Sequence, residues 1–240
     1  MARPYEPEYY FEHTAEFPLP ELFEGARDAG EVLLRAKAFC AGLAGRLAEY
    51  GGQQVLGECR ENVVLRGPVY IGRGTVVQPG AVVQGPVYIG ENCEIAAGAL
   101  IRPNTVLGNG CSVGHGSEVK AAVLQNGSKV ASLAFVGDSV LGRSARVGSG
   151  CILANRKFNQ SNVGVKIDGE YHDLGRDFFG CVLGDSSRLG ANCTTLPGTH
   201  IGSYSWVLPG CVVKGFVPGG TRVSKAQELR FEENPRVELK

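Results

Sequence analysis

Four side chains of this sequence are of the one type whose unperturbed pKa lies near neutral pH: His13, His115, His172 and His200. They are the first candidates for moving a proton at pH 7. Thiols form the second reactive class, with eight cysteines at Cys40, Cys59, Cys93, Cys111, Cys151, Cys181, Cys193 and Cys211. No C-x-x-C pair occurs, and no cluster has metal-ligand spacing, so neither a disulfide framework nor a metal is expected. No P-loop or dinucleotide fingerprint is present. The 24 Lys and Arg balance 24 Asp and Glu, which argues against nucleic acid or an anionic membrane surface as partner. With no secretory leader and no apolar run of about 18 residues, the expectation is a soluble, cytoplasmic protein.

The elements that must position these groups show in the composition. Glycine supplies 35 of 240 residues, about twice the usual share, and aromatics only 8%. An aliphatic residue recurs every six positions at Leu65, Ile71, Val77, Val83, Ile89, Ile95, Ile101, Leu107, Val113 and Val119. Four residues after each stands a small or β-branched partner, from Val69 and Thr75 to Ser117 and Val123. The register slips by one residue before Leu124 and again before Leu141, and it resumes from Leu183 to Val213. A six-residue period with one large and one small inward position fits a three-sided β-helical coil. Roughly seven coils would stack into a prism on the order of 35 Å long. Cys93, Cys111, Cys151, Cys193 and Cys211 occupy the small inward position, where a thiol acts as a small hydrophobe.

The first slip has a consequence for the histidines. The coil from Val113 to Val130 is one residue short, so His115 should stand directly above Ser132, about one strand spacing away. His172 falls in the inserted segment and His200 on an outer face.

Three regions follow. Residues 1–58 hold an aromatic strap and a helix from about Asp28 to Tyr50, with a capping-box-like Asp28 and Glu31 and a stop at Gly51-Gly52. That helix could cap the open end of the coil stack. Residues 59–223 form the β-helix, and 224–240 a polar tail. The segment 156–180 interrupts the array. There Val163, Val165 and Ile167 alternate before Asp168-Gly169, which predicts a projecting β-hairpin.

The pattern resembles the left-handed β-helix of hexapeptide-repeat acyltransferases, and the left hand is implied by that resemblance. The run from Gly110 to Asn155 is similar to the C-terminal acetyltransferase domain of bifunctional N-acetylglucosamine-1-phosphate uridylyltransferases. Its tokens are E-V-K at Glu118–Lys120, G-S-K at Gly127–Lys129, V-G-D at Val136–Asp138, and Asn155. The hairpin and the L-P-G turns at Leu196–Gly198 and Leu208–Gly210 resemble the archaeal version. The resemblance spans about residues 60–225.

It implies a homotrimer in which glucosamine 1-phosphate and the co-substrate acetyl-CoA meet in a cleft between subunits. Arg102 and Lys120 would bind the phosphate. Glu118, Phe135 and Asn155 would contact the sugar, and Ala191, Pro209 and Lys225 would lie along the coenzyme. Where the family has H-L-x-Y-x-G-D, this chain has Ser132-Leu133-Ala134-Phe135-Val136-Gly137-Asp138. The general-base histidine is therefore Ser132, whose hydroxyl has no useful basicity near pH 7. Two readings follow. One is an acyltransferase acting on a sugar phosphate or nucleotide sugar, with His115 supplying the base beside Ser132. The other is a non-catalytic protein that binds such a ligand.

Overall fold

The hexapeptide period becomes three parallel sheets in the computed structural model, which describes residues 2–232. Sheet I has nine strands, from Gln53–Val55 through Val69–Ile71 and onward to Phe216–Val217. Sheet II also has nine, from Glu58–Cys59 to Arg222–Val223, and sheet III has eight, from Val64–Arg66 to Val212–Val213. The stack thus holds nine rungs where the aliphatic period indicates about seven. At ~4.8 Å per rung it is about 38 Å long. The additional rungs sit at the ends, where the repeat degenerates but the backbone ladder continues. Gln53–Val55 already pairs with Val69–Ile71, inside the segment assigned to the N-terminal region.

The small inward position is not merely a packing spacer. At several corners a carbonyl faces the interior, and the side chain one rung away donates to it. Thr75 Oγ1 bonds the Gly90 carbonyl at 2.7 Å, Ser187 Oγ that of Gly202 at 2.7 Å, and Cys151 Sγ that of Gly190 at 3.0 Å. The hydroxyls also accept the next rung's N–H, as when Cys93 N donates to Thr75 Oγ1 at 2.9 Å. Satisfying buried backbone groups explains why Ser, Thr and Cys recur here. All eight cysteines are free thiols.

At the first slip the expected small inward residue is displaced. Ala121 adopts φ 46° and shortens the corner, Ala122 turns inward, and Val123 faces outward. This change matters for helix α1 (Ala29–Arg46). Its N-cap Asp28 accepts the Glu31 N–H at 2.9 Å. The Glu31 carboxylate accepts the Arg27 N–H at 3.0 Å. α1 does not cap the end of the solenoid but lies along the flank of sheet I. Val106, Val123, Val140 and Val182 point outward there and are buried beneath Val32, Leu33, Ala36 and the strap residues Phe11, Phe17 and Phe23. An outward valine column would cost about 1.5–3 kcal/mol per side chain if left in water, so the cover runs along the column.

The strap is tied down by buried polar groups. Asp185 accepts the N–H of Glu12 at 2.8 Å and of Arg143 at 2.7 Å, and Ser203 Oγ donates to the Tyr10 carbonyl at 2.8 Å. His200 is on the outer face of sheet I, but the strap buries it completely between Tyr10 and Phe179.

In the insertion, Val163–Ile167 pairs antiparallel with Glu170–Arg176 across Asp168 and Gly169, both at positive φ. This pair folds back on its own chain. Val163 and Leu174 join the cluster under α1, Arg176 donates to the Gly30 carbonyl at 3.2 Å, and His172 stacks on Tyr5 at 4.5 Å.

Candidate functional site at a corner and face of the solenoid

Two groups of candidate residues emerge. The first is a single column along the corner between sheets II and III. Leu133 N–H donates to the His115 carbonyl, Gly150 N–H to Ser132, Asn192 N–H to Ser149, and Gly210 N–H to Ala191. His115, Ser132, Ser149, Ala191 and Pro209 therefore occupy equivalent positions on successive rungs. The expected base and two expected coenzyme residues, distant in sequence, share one edge. Lys225 Nζ reaches the same edge beside Gly210.

His115 is held by its own backbone neighbours. Its Nδ1 lies 2.6 Å from the Ala97 carbonyl of the rung before, so in the neutral ring the proton belongs on Nδ1. Nε2 is then the free acceptor, as a general base requires. The ring is exposed and leans toward Ala97 and Gly98, away from the Ser132 rung. The structure records no hydrogen bond between His115 and Ser132 side chains.

Beside Ser132 the backbone carries strain. This corner column takes positive φ at each rung, usually with Gly or Asn, at Asn62, Gly80, Gly98, Gly116, Gly150, Asn192 and Gly210. Leu133 occupies it at φ 58° and is 64% exposed. An L-leucine there costs roughly 1–2 kcal/mol. Such strain collects at functional positions.

The second group lies on the outer face of sheet III and its far corner. Glu118 stands level with Leu100 and Phe135 on the neighbouring strands, and Lys120 with Gly137. Arg102 Nη1 pairs with Glu118 Oε1 at 2.7 Å, and Lys120 Nζ with Asp138 Oδ2 at 3.0 Å. Asn155 Nδ2 donates to the same Asp138 oxygen at 2.7 Å. The two cations expected to meet a phosphate are thus already neutralised by carboxylates. A third, Arg176 from the end of the hairpin, lies 3.9 Å from Asp138 Oδ1. Burial lowers the Arg176 pKa and Asp138 opposes that shift. With Lys37 and Asp177, which line the same ground, four cations face three carboxylates, leaving one net positive charge. Phe178 places its ring 5.0 Å from Lys120 Nζ and 4.7 Å from the Arg156 guanidinium. A pocket of about 390 Å³ opens here, lined by Lys37 and Leu34 of α1, Asn104, Lys120, Arg176 and Phe178.

Sequence reading did not assign Asp138, Arg176 or Phe178 to the site. The V-G-D token signalled the aspartate. Nothing in the periodicity could show that the insertion folds back on it. Among the described residues no group of three or more His, Cys, Asp or Glu side chains could hold a metal, and no helix is long and apolar enough to cross a membrane.

Residues 83–168 match a family model described as the GMPPB C-terminal domain. The chain is 38% identical over 160 residues to a bifunctional sugar-1-phosphate nucleotidylyltransferase/acetyltransferase of Sulfurisphaera tokodaii, covering 67% of this chain and 40% of that one. It is 34% identical over 179 residues to the bifunctional protein GlmU of Methanocaldococcus jannaschii, covering 75% of this chain and 44% of that one. It therefore spans less than half the length of these relatives. Among solved structures, the UDP-N-acetylglucosamine acyltransferase of Francisella novicida shares the fold with a TM-score of 0.55 at 13% identity, covering 68% of this chain and 59% of that one. The continuous three-sheet stack and these matches make the chain a member of the hexapeptide-repeat, left-handed β-helix acyltransferase superfamily, related to the archaeal bifunctional sugar-1-phosphate nucleotidylyltransferase/acetyltransferases.

Proposed function

We propose that this protein is an acyl-CoA-dependent acyltransferase acting on a sugar phosphate or nucleotide sugar, working as a homotrimer with the corner column facing a neighbouring subunit. The observation that carries this reading is His115, with Nδ1 committed to the Ala97 carbonyl and Nε2 left as acceptor one rung from Ser132. In the reaction, a sugar amine or hydroxyl attacks the thioester carbonyl, its proton passes to Nε2, and the coenzyme thiol leaves and takes up a proton. Ser132 can orient the acceptor by hydrogen bonding but cannot serve as base. Arg102, Lys120 and Arg176 would hold the phosphate once Glu118 and Asp138 share their cations with it. Glu118, Phe135 and Asn155 would contact the sugar. The edge at Ala191, Pro209 and Lys225 would carry acetyl-CoA.

The test incubates pure protein with acetyl-CoA and a panel of amino and hydroxy sugar phosphates and reads free CoA. Turnover lost at least 100-fold in His115→Gln, with the fold retained by circular dichroism, supports the reading. An unchanged rate in that variant removes His115 as base. No turnover with any acceptor, together with saturable sugar-phosphate binding, favours a binding protein, the function consistent with Ser132 in place of the family's histidine.

A further inference from the structure

Two consecutive corners between sheets III and I are each one residue short. On the first three rungs that corner takes two residues, Gly67-Pro68, Gly85-Pro86 and Pro103-Asn104, and paired residues on successive strands of sheet I stand 18 apart in sequence. On the next two rungs it takes one, Ala121 at φ 46° and then Asp138 at φ 47°, and the spacing falls to 17. Both slips of the repeat thus fall at one place. Side by side they recess the edge of the prism, and the recess is where the pocket of about 390 Å³ lies. Its outer wall comes from elsewhere in the chain.

That wall is built by α1 and by the end of the insertion, both outside the six-residue array. Arg176 joins them, its Nε donating to the Phe178 carbonyl at 2.9 Å and its Nη1 to the Gly30 carbonyl of α1 at 3.2 Å. The chain itself therefore fixes the width of the slot, which is the preorganisation that a binding site needs. On α1, Leu34 and Lys37 are three residues apart and share the face that lines the slot. Leu34 is 55% exposed, and among the described residues Lys37 joins no ion pair. The rest of the lining includes Lys120, Phe178 and the amide of Asn104.

A single phosphate leaves most of this arrangement unused. It would meet Lys120 and Arg176 beside Asp138, while Lys37 and Leu34 on the helix wall would face empty space. The slot is also large enough for a whole ligand, since such pockets start at about 300 Å³. A second phosphate reaches the Lys37 side with a charge-assisted bond. A planar base beyond it covers Leu34 and the edge of Phe178, and the Asn104 amide can donate to or accept from that base. Cations on two walls with apolar side chains beside them fit a nucleoside diphosphate. We propose that the slot between α1 and the corner of sheets III and I takes the nucleoside diphosphate end of the acyl acceptor, which makes the acceptor a nucleotide sugar and not a sugar 1-phosphate. This rests on the acyltransferase reading and makes Lys37 and Leu34 the residues that select between the two acceptor classes.

Calorimetric titration of the full chain with UDP, GDP, ADP, dTDP, pyrophosphate and glucose 1-phosphate tests the slot. At least one nucleoside diphosphate should bind about tenfold tighter than pyrophosphate and glucose 1-phosphate. Lys37→Gln and Leu34→Ser change exposed helix positions and should melt within a few degrees of the parent protein, and each should weaken that nucleotide about tenfold. If no nucleotide binds more tightly than the two smaller anions, or if neither substitution weakens it, the assignment is overturned. Release of CoA from acetyl-CoA is followed in parallel with amino-sugar 1-phosphates and with the matching nucleoside-diphosphate amino sugars. The nucleotide sugars should give the higher kcat/KM, and Lys37→Gln should raise their KM. Faster turnover of the sugar 1-phosphates removes the nucleotide slot and leaves the acyltransferase reading standing. Nucleotide binding that both substitutions weaken, with no acceptor consumed, removes the acyltransferase reading and leaves the nucleotide slot standing.

Discussion

Asp138 gathers one rung's cation and the next rung's amide on one carboxylate: Lys120 Nζ is 3.0 Å from its Oδ2 and Asn155 Nδ2 donates to the same atom at 2.7 Å. The Asp138 side chain is only 6% exposed. The arrangement holds Lys120 in place at the expense of its free charge. The phosphate binding proposed here would consist of sharing an existing ion pair.

Asp138→Asn should therefore destabilise the fold by about 2 kcal/mol, since it leaves a partly buried ammonium unpaired. In urea titrations, Lys120→Met and the double variant complete a cycle with a coupling energy of about 1 kcal/mol or more. Additive losses would mean that the pair is only a surface contact.

His200 gives a pH dependence with a defined sign. Burial lowers its pKa to about 4, partly opposed by its bond to the Gly198 carbonyl, and its Nε2 has no hydrogen-bond partner. Between pH 6.5 and 4 the unfolded chain binds the proton and the folded chain does not. The folded pKa is depressed, so this contribution is complete above pH 6.5 and lost as pH falls toward 4. The loss is about 3 kcal/mol. His200→Phe, between Tyr10 and Phe179, should show a correspondingly smaller fall in urea stability from pH 7.5 to pH 4. Parallel curves for the two proteins would contradict the assignment.

Leu133 separates strain from assembly. Leu133→Gly relieves a positive-φ leucine and should leave the monomer fold as stable or up to about 1 kcal/mol more stable. Leu133→Asp puts a charge on the corner proposed to face a neighbour and should shift sedimentation from trimer to monomer. A trimer unaffected by the aspartate would place the subunit contact elsewhere.

Ser132 supplies a gain-of-function test. Ser132→His puts an imidazole at the corner where the family resemblance implies one, and acetyl transfer should rise by about 10- to 100-fold. His115→Gln in that background should then cost less than it does alone. If Ser132→His has no effect on the rate, the corner is not where the acceptor is deprotonated.

The solenoid was legible because its code is local. Six residues carry one strand and one corner, so periodicity alone marks inward positions, thiol placement and the alignment of His115 with Ser132. Where the code falters, so does the reading: the shortened corner at Ala121 moved Val123 from the interior to the face beneath α1. The end rungs lacked the aliphatic signal that would have counted them.

What the sequence by itself determined was the stack, its approximate length and the resemblance carried by E-V-K, V-G-D and Asn155. Only the tertiary structure decided that α1 lies along sheet I, that the strap buries His200, and that the insertion returns Arg176 and Phe178 to Asp138 and Lys120. The physical reason is separation along the chain. Hydrogen bonds between rungs repeat at a fixed interval and can be counted. The helix, strap and hairpin are placed by whichever outward column would otherwise leave apolar surface in water, and that column exists only once the rungs have stacked.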